Sequence, residues 1–256
     1  MKFISELHKK VHNDELFSKD KHNGYAFGIY FSAYQAYKLG FKSITCIEIG
    51  VAGGNGLIAM EKISSLVKDE FSIDIKLIGM DTGEGMPKPE SYKDLPYTWR
   101  EGQYVLEKDD LQEKLRNSKL ILGNVKNTVE NLSELVDFQS SPIGFISFDV
   151  DYYSSTRDAL KILNYESIPR ALLFFDDLVS TDIRYISEDI GQMAAIKEFN
   201  NNHDDKIRFI EHLGFNRPNN ALWTRKMYCL HRYKQYNYNS YIDWNEDKQL
   251  KINKFN

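Results

Sequence analysis

Acidic residues cluster where two strands should end. Asp149 and Asp151 stand in FDVDYYSST, and Asp176 and Asp177 close RALLFFDDL. Each pair follows an apolar run, PIGFISF from Pro142 to Phe148 or RALLFF, with the length and composition of a strand buried in a sheet. Three or four carboxylates converging on neighbouring strand ends would repel one another, costing several kcal/mol or forcing protonation. A hard divalent ion bound through oxygen, Mg²⁺ or Mn²⁺, removes the conflict. The competing reading makes Asp151 and Asp177 N-caps of the segments that follow, and one of the two is expected to be that. Asp149, and after it Asp151, are the candidate general bases.

A second group of residues lies in Ser43 to Gly56, SITCIEIGVAGGNG. Ile44, Cys46, Ile47 and Ile49 form a short apolar strand; Gly50, Gly53, Gly54 and Gly56 then permit positive φ and close approach of a ligand to the backbone. Glu48 near the strand end, followed by Gly50, Ala52 and Gly54, suits a ligand carrying an ammonium and ribose hydroxyls and is unfavourable beside a pyrophosphate. Gly54, Gly56 and Ala59 also satisfy the G-x-G-x-x-A of dinucleotide folds, although the triplet begins several residues past the strand end. A turn that binds nothing is the plain alternative. Asp81, closing the strand DIKLIGM, is placed to accept both hydroxyls of a ribose. Asn124, after the strand LILGNV, suits either the edge of an adenine or ordinary turn chemistry.

The elements that position these residues alternate strand and helix. Aromatic residues at spacings of three and four from Gly24 to Leu39 predict a helix laid on the sheet edge or on a second subunit, a core or homodimer contact. Further helices are expected over Leu57 to Leu66, over DDLQEKLRN capped by Asp109 or Asp110, over Thr156 to Leu163, and over DIGQMAAIKEFNN. KIRFIEHL and ALWTRKMYCLHRY read as two strands joined by the hairpin loop GFNRPNN. The long loop from Asp81 to Trp99, rich in proline and glycine, carries Tyr92, Tyr97 and Trp99 as a substrate wall or lid, or as a packed surface loop.

The 256 residues suit one α/β domain at 24–230, between a polar arm or helix at 1–23 and a polar tail at 231–256. A formal charge of −4, with lysines scattered among acids, offers no basic stripe for nucleic acid. His8, His12 and His22 are irregularly spaced and fit a solvated arm better than a metal site. Cys46 and Cys229 lie far apart and read as reduced, buried thiols. No leader-like or membrane-spanning apolar run is present in the sequence, so a cytoplasmic protein without a membrane partner is expected.

EIGVAGGNG, MDTGEGMP, FDVDYYSST and FFDD, in this order and spacing, resemble the motifs of class I S-adenosylmethionine (SAM) methyltransferases, in particular the macrocin O-methyltransferase-like group of metal-dependent bacterial sugar O-methyltransferases. The resemblance runs from about Tyr25 to Tyr228. It implies a Rossmann-like sheet of seven strands with a closing antiparallel hairpin and helices on both faces. It also implies SAM on Glu48, Gly50, Gly53, Gly54 and Asp81, with Mg²⁺ or Mn²⁺ on Asp149, Asp176 and Asp177. The expected acceptor is a sugar hydroxyl, on a nucleotide-activated sugar for a capsule, lipopolysaccharide or other glycoconjugate, with a catechol or other diol as runner-up. An NAD(P)-dependent oxidoreductase and a noncatalytic binding protein are the alternatives of other classes. Two departures stand out: Gly83 where an aromatic residue is common, and no histidine after Asp149 to act as base.

Overall fold

The computed structural model describes residues 6–7, 22–179, 183–210 and 222–242. One sheet organises the chain, built from β1 (Ser43–Ile49), β2 (Asp74–Asp81), β3 (Ser118–Leu122), β4 (Ile143–Phe148), β5 (Ser167–Phe175), β6 (Lys206–Phe209) and β7 (Met227–His231). The strand order is β3-β2-β1-β4-β5-β7-β6. The first five strands pair in parallel, whereas β7 runs antiparallel to both β5 and β6. β4 is buried at every position and β1 at all but its first, so both faces of the sheet must be covered. Burying Phe145, Phe148, Phe174 and Phe175 completely contributes on the order of 2–3 kcal/mol each and fixes where β4 and β5 end.

Helix α1 (His22–Lys38) and helix α2 (Asn55–Phe71) pack on each other; α1 covers β1, β4 and β5, and α2 covers β2. The expected core contact of this aromatic helix is present, but on the sheet face and not at the sheet edge: α1 crosses β1, β4 and β5 of its own chain. Ser32 Oγ donates to the Gly144 carbonyl at 2.7 Å, and Tyr25 meets Phe145 and Phe174 edge-on at 5.9 and 5.7 Å. α3 (Lys108–Lys114) is not capped by Asp109 or Asp110, which stand in its first turn and meet the helix dipole there. Single turns α4 (Val125–Thr128) and α5 (Leu132–Leu135) follow β3. α6 (Tyr153–Ala159) begins three residues before the expected Thr156 and passes into a 3₁₀ turn over Leu160–Asn164. α7 (Gly191–Asn202) packs on α6 and β6.

Cys46 and Cys229 are buried free thiols, and burial pushes Cys229 up to about 12. Among the described residues no helix is long and apolar enough to cross a membrane. The hairpin loop GFNRPNN, His8 and His12 lie outside the described residues.

Candidate active site

Where β1 gives way to β4 in the sheet order, chain neighbours diverge to opposite sides and a crevice opens at the carboxyl ends of the strands. Gly50 sits at that point with φ +89°, its N–H donating to Met80 O at 2.8 Å. A Cβ there would come within 1.8 Å of the Asp149 carbonyl oxygen, so only glycine lets β1 and β4 meet this closely. Gly53 and Gly56, expected to use positive φ, do not; Ala52 at φ +45° takes that conformation instead.

Asp81 closes the turn from the other side. Its Oδ2 accepts from Val51 N at 2.8 Å and Ala52 N at 3.0 Å, and its Oδ1 from Gly83 N at 2.8 Å. One carboxylate thus locks the loop after β1 to the loop after β2. Asn124 caps α4, its side-chain oxygen accepting from Lys126 N at 3.0 Å.

Glu48 points elsewhere. Its carboxylate is 1% exposed, Oε1 accepts from the Tyr25 hydroxyl at 2.7 Å, and Ser147 Oγ donates to that hydroxyl at 2.9 Å. Burial, and next the charge on Glu48, pushes Tyr25 well above the usual phenol range, so it remains a donor. Gly56 rides directly over this carboxylate: a Cβ there would stand 1.9 Å from Glu48 Oε1.

The acids converge at the ends of β4 and β5. Asp149, Asp176 and Asp177 each offer an oxygen within 4.8 Å of the others. Asp177 is buried, and its pKa is raised by that burial and then by the charges of Asp151 and Asp176, against the pull of Arg184. Burial likewise pushes Asp151 up to about 6, with Asp149 adding to the shift. Asp151 holds φ +54°, a conformation tolerated by Asp, and its N–H donates to Asp177 Oδ2 at 3.0 Å. Neither Asp151 nor Asp177 is an N-cap: Tyr152 stands at that position for α6, and Phe175 for the 3₁₀ turn Asp176–Leu178. Among the described residues two cations answer the acids. Arg184 Nη1 lies 2.9 Å from Asp177 Oδ1 and 3.9 Å from Asp151 Oδ1, and Lys226 Nζ lies 3.0 Å from Asp176 Oδ1. Gln192, at the start of α7, clips the two strand ends together: its Oε1 accepts from Asp177 N and its Nε2 donates to Phe148 O, both at 3.0 Å.

These groups share one cavity of about 380 Å³, within the range of small-molecule sites. Gly50, Asp81, Asn124, Asp149, Asp151, Asp176 and Asp177 line it; Glu48, Gly53 and Gly54 are absent from its lining. Of the loop aromatics, Trp99 lines the cavity together with Tyr104, whereas Tyr97 is half-exposed and pairs with Tyr185 at 6.3 Å, and Tyr92 is exposed. Among the described residues the Trp99 indole N–H has no hydrogen-bond partner, which leaves a donor for a ligand. Buried Asp94 ties this loop to α6, accepting from Ser154 N at 2.7 Å and Ser154 Oγ at 3.0 Å.

No protein-family model matches the chain, and no curated protein matches it in sequence. Solved structures do match. CalS11, a calicheamicin methyltransferase, aligns with a TM-score of 0.58 at 18% identity, over 90% of this chain and 91% of that one. The O-methyltransferase NovP aligns with a TM-score of 0.54 at 14% identity, over 90% of this chain and 98% of that one. The fold is that of the class I methyltransferases. An antiparallel β7 between β5 and β6 separates this methyltransferase fold from the all-parallel dinucleotide sheet that Gly54, Gly56 and Ala59 left open. The glycine triplet has packing reasons instead, Gly56 over Glu48 and Gly54 against Leu111.

The donor set fits a hard divalent cation: three carboxylates, all oxygen ligands, on two adjacent strand ends, already drawing cationic side chains. Arg184, Lys226, Gln192 and Asp94 are the site-building residues that sequence reasoning missed. No motif marks them; the excess of acid at the strand ends was the one signal that counter-ions had to come from elsewhere in the chain.

Proposed function

We propose that the chain is a SAM-dependent O-methyltransferase that uses a divalent metal and acts on a sugar hydroxyl, on a nucleotide-activated sugar destined for a glycoconjugate. The observation that carries this reading is the meeting, in one cavity of a methyltransferase fold, of the Asp81-locked glycine turn with the three-acid cluster.

Asp81 has one backbone bond on Oδ1 and two on Oδ2, so it keeps acceptor capacity for a ribose hydroxyl while holding the loop. SAM would supply the methyl group from its sulfonium. Asp149, Asp176 and Asp177 would hold Mg²⁺ or Mn²⁺, whose charge lowers the pKa of an acceptor hydroxyl beside it. Asp149 belongs to that set, and Asp151, the fourth acid at these strand ends, is the carboxylate left to take the proton from the acceptor. Trp99 and Tyr104, their rings 5.9 Å apart and at 65° to each other, offer apolar surface to the acceptor.

The test is incubation of the protein with SAM and Mg²⁺ or Mn²⁺ against a panel of nucleotide sugars and a panel of catechols, with mass spectrometry for a methyl increment. Methylation of nucleotide sugars is expected. Methylation confined to catechols, which chelate equally well and would stack on Trp99, would replace the acceptor and leave the reaction class standing.

A further inference from the structure

Arg184 and Lys226 are bonded to the very acids that the metal reading assigns as ligands. Arg184 Nη1 is 2.9 Å from Asp177 Oδ1 and Lys226 Nζ is 3.0 Å from Asp176 Oδ1. We infer that these two side chains are built-in counter-ions of the acid cluster, displaced when a divalent cation binds, so that they set how tightly the protein holds its metal. The inference rests on the metal reading of the preceding section and adds the residues that regulate that site.

The charge balance comes first. Asp149, Asp151, Asp176 and Asp177 bring four carboxylates to the ends of β4 and β5. The side chains of Asp177, Asp151, Arg184 and Lys226 are all less than a fifth exposed, so solvent screens their interactions weakly. A metal ligand oxygen sits about 2.0–2.1 Å from Mg²⁺. A guanidinium or ammonium within about 3 Å of the same carboxylate would hold a second positive charge within a few ångströms of the ion. The two cannot share Asp177 and Asp176 without strong repulsion, and whichever is bound weakens the other by the same factor.

The local structure gives both side chains a way to leave. The Lys226 backbone is pinned, its carbonyl accepting from Phe175 N at 2.9 Å, so its ammonium is delivered to the end of β5 by the β5–β7 ladder and can withdraw only by rotating its own flexible stem. Arg184 lies in an irregular stretch between exposed Ile183 and Tyr185. Its guanidinium already stands 5.4 Å from the centre of the Trp99 ring, an aromatic face that retains the cation when Asp177 is taken. The opposite role is equally definite: salt bridges that hold the two carboxylates in place for the metal. The two roles differ in sign. Removing a counter-ion tightens metal binding, and removing a support loosens it.

Titration calorimetry of Mn²⁺ into the 256-residue chain, without SAM, reads that sign directly for wild type, Arg184→Gln and Lys226→Gln. Each substitution is expected to tighten Mn²⁺ binding, on the order of tenfold as for typical couplings between adjacent sites. Thermal unfolding supplies the second readout. Without metal the variants should melt below wild type, and saturating Mn²⁺ should raise their melting temperatures by more than it raises that of wild type. Equal or weaker Mn²⁺ affinity in both variants would overturn the inference while leaving the metal site itself in place. Failure of wild type and variants alike to bind Mn²⁺, with S-adenosylhomocysteine still bound, would remove the metal reading and this inference with it. Should Arg184→Gln not fold, Lys226→Gln decides the matter, because its backbone bond to Phe175 does not depend on the side chain.

Discussion

Asp151 is held in a left-handed backbone conformation, with its N–H bonded to Asp177 and its carboxyl pushed up to about 6 by burial. That pKa lies above the ordinary value of about 3.9, so between these limits the folded protein carries a proton that the unfolded chain has released. Folding stability of the metal-free protein should therefore fall as pH rises from about 4 to about 6, by roughly 1–3 kcal/mol from this group, with the full penalty in force above pH 6. Asp151→Asn removes the penalty and keeps a residue that accepts positive φ. It should raise the metal-free melting temperature at pH 7 and flatten the pH dependence of stability, which scanning calorimetry across pH 4–7 would reveal. In the proposed reaction the same variant should lose on the order of 10²-fold or more in kcat while binding Mn²⁺ within a few-fold of wild type. A variant with unchanged kcat would remove Asp151 as the base. Asp81 makes the parallel case for the cofactor end. Asp81→Asn turns one acceptor oxygen into a donor facing backbone N–H groups, at a cost of about 1–3 kcal/mol. Calorimetry should find S-adenosylhomocysteine binding weakened along with the fold.

The turn between β1 and α2 shows what the elements demand of single glycines. Gly56→Ala would place a methyl 1.9 Å from Glu48 Oε1, with Tyr25 2.9 Å away on another side, whereas Gly53→Ala meets only the Asn55 side chain at 3.9 Å. Urea unfolding should give about 1–3 kcal/mol of destabilisation for Gly56→Ala and little for Gly53→Ala. Equal losses would mean that Glu48 does not lie beneath the helix. Glu48 also marks the boundary of what the sequence disclosed. The strands were readable because parallel strands covered on both faces are apolar along their whole length, and acids directly after such runs must emerge at the sheet's carboxyl edge. A strand's alternation does not say which face meets the ligand. Its position near the strand end suits the cofactor side, yet Glu48 turns under α2 to Tyr25, a partner 23 residues earlier in the chain. The path of α1 over β4 and β5 depended on strand order, which no local pattern contains. Arg184, Lys226 and Gln192 reach the acids from three separate segments, and long-range pairings of this kind leave no spacing to read.

Across the whole molecule, the cavity joins segments far apart in the chain, from Ile49 at the end of β1 to Lys226 beside β7. A ligand bound there contacts the native arrangement and nothing equivalent in the unfolded chain, so binding must raise global stability by RT ln(1 + [L]/Kd). At a hundred times its dissociation constant, S-adenosylhomocysteine should add about 2.7 kcal/mol. For a chain of this size each kcal/mol is worth about 2–4 °C, giving a rise of roughly 5–11 °C in melting temperature. Saturating Mn²⁺ should add its own increment, which EDTA reverses, because the acid cluster and the Asp81-locked loop occupy different strand ends of the one cavity. NAD⁺ supplies the discriminating arm. The first turn belongs to a methyltransferase fold, with Asp81 bound to the amides of Val51 and Ala52 that a pyrophosphate would need. The dinucleotide should therefore leave the transition unmoved at concentrations where S-adenosylhomocysteine shifts it. A shift with NAD⁺ and none with S-adenosylhomocysteine would sink the cofactor proposal, whatever the acceptor turns out to be.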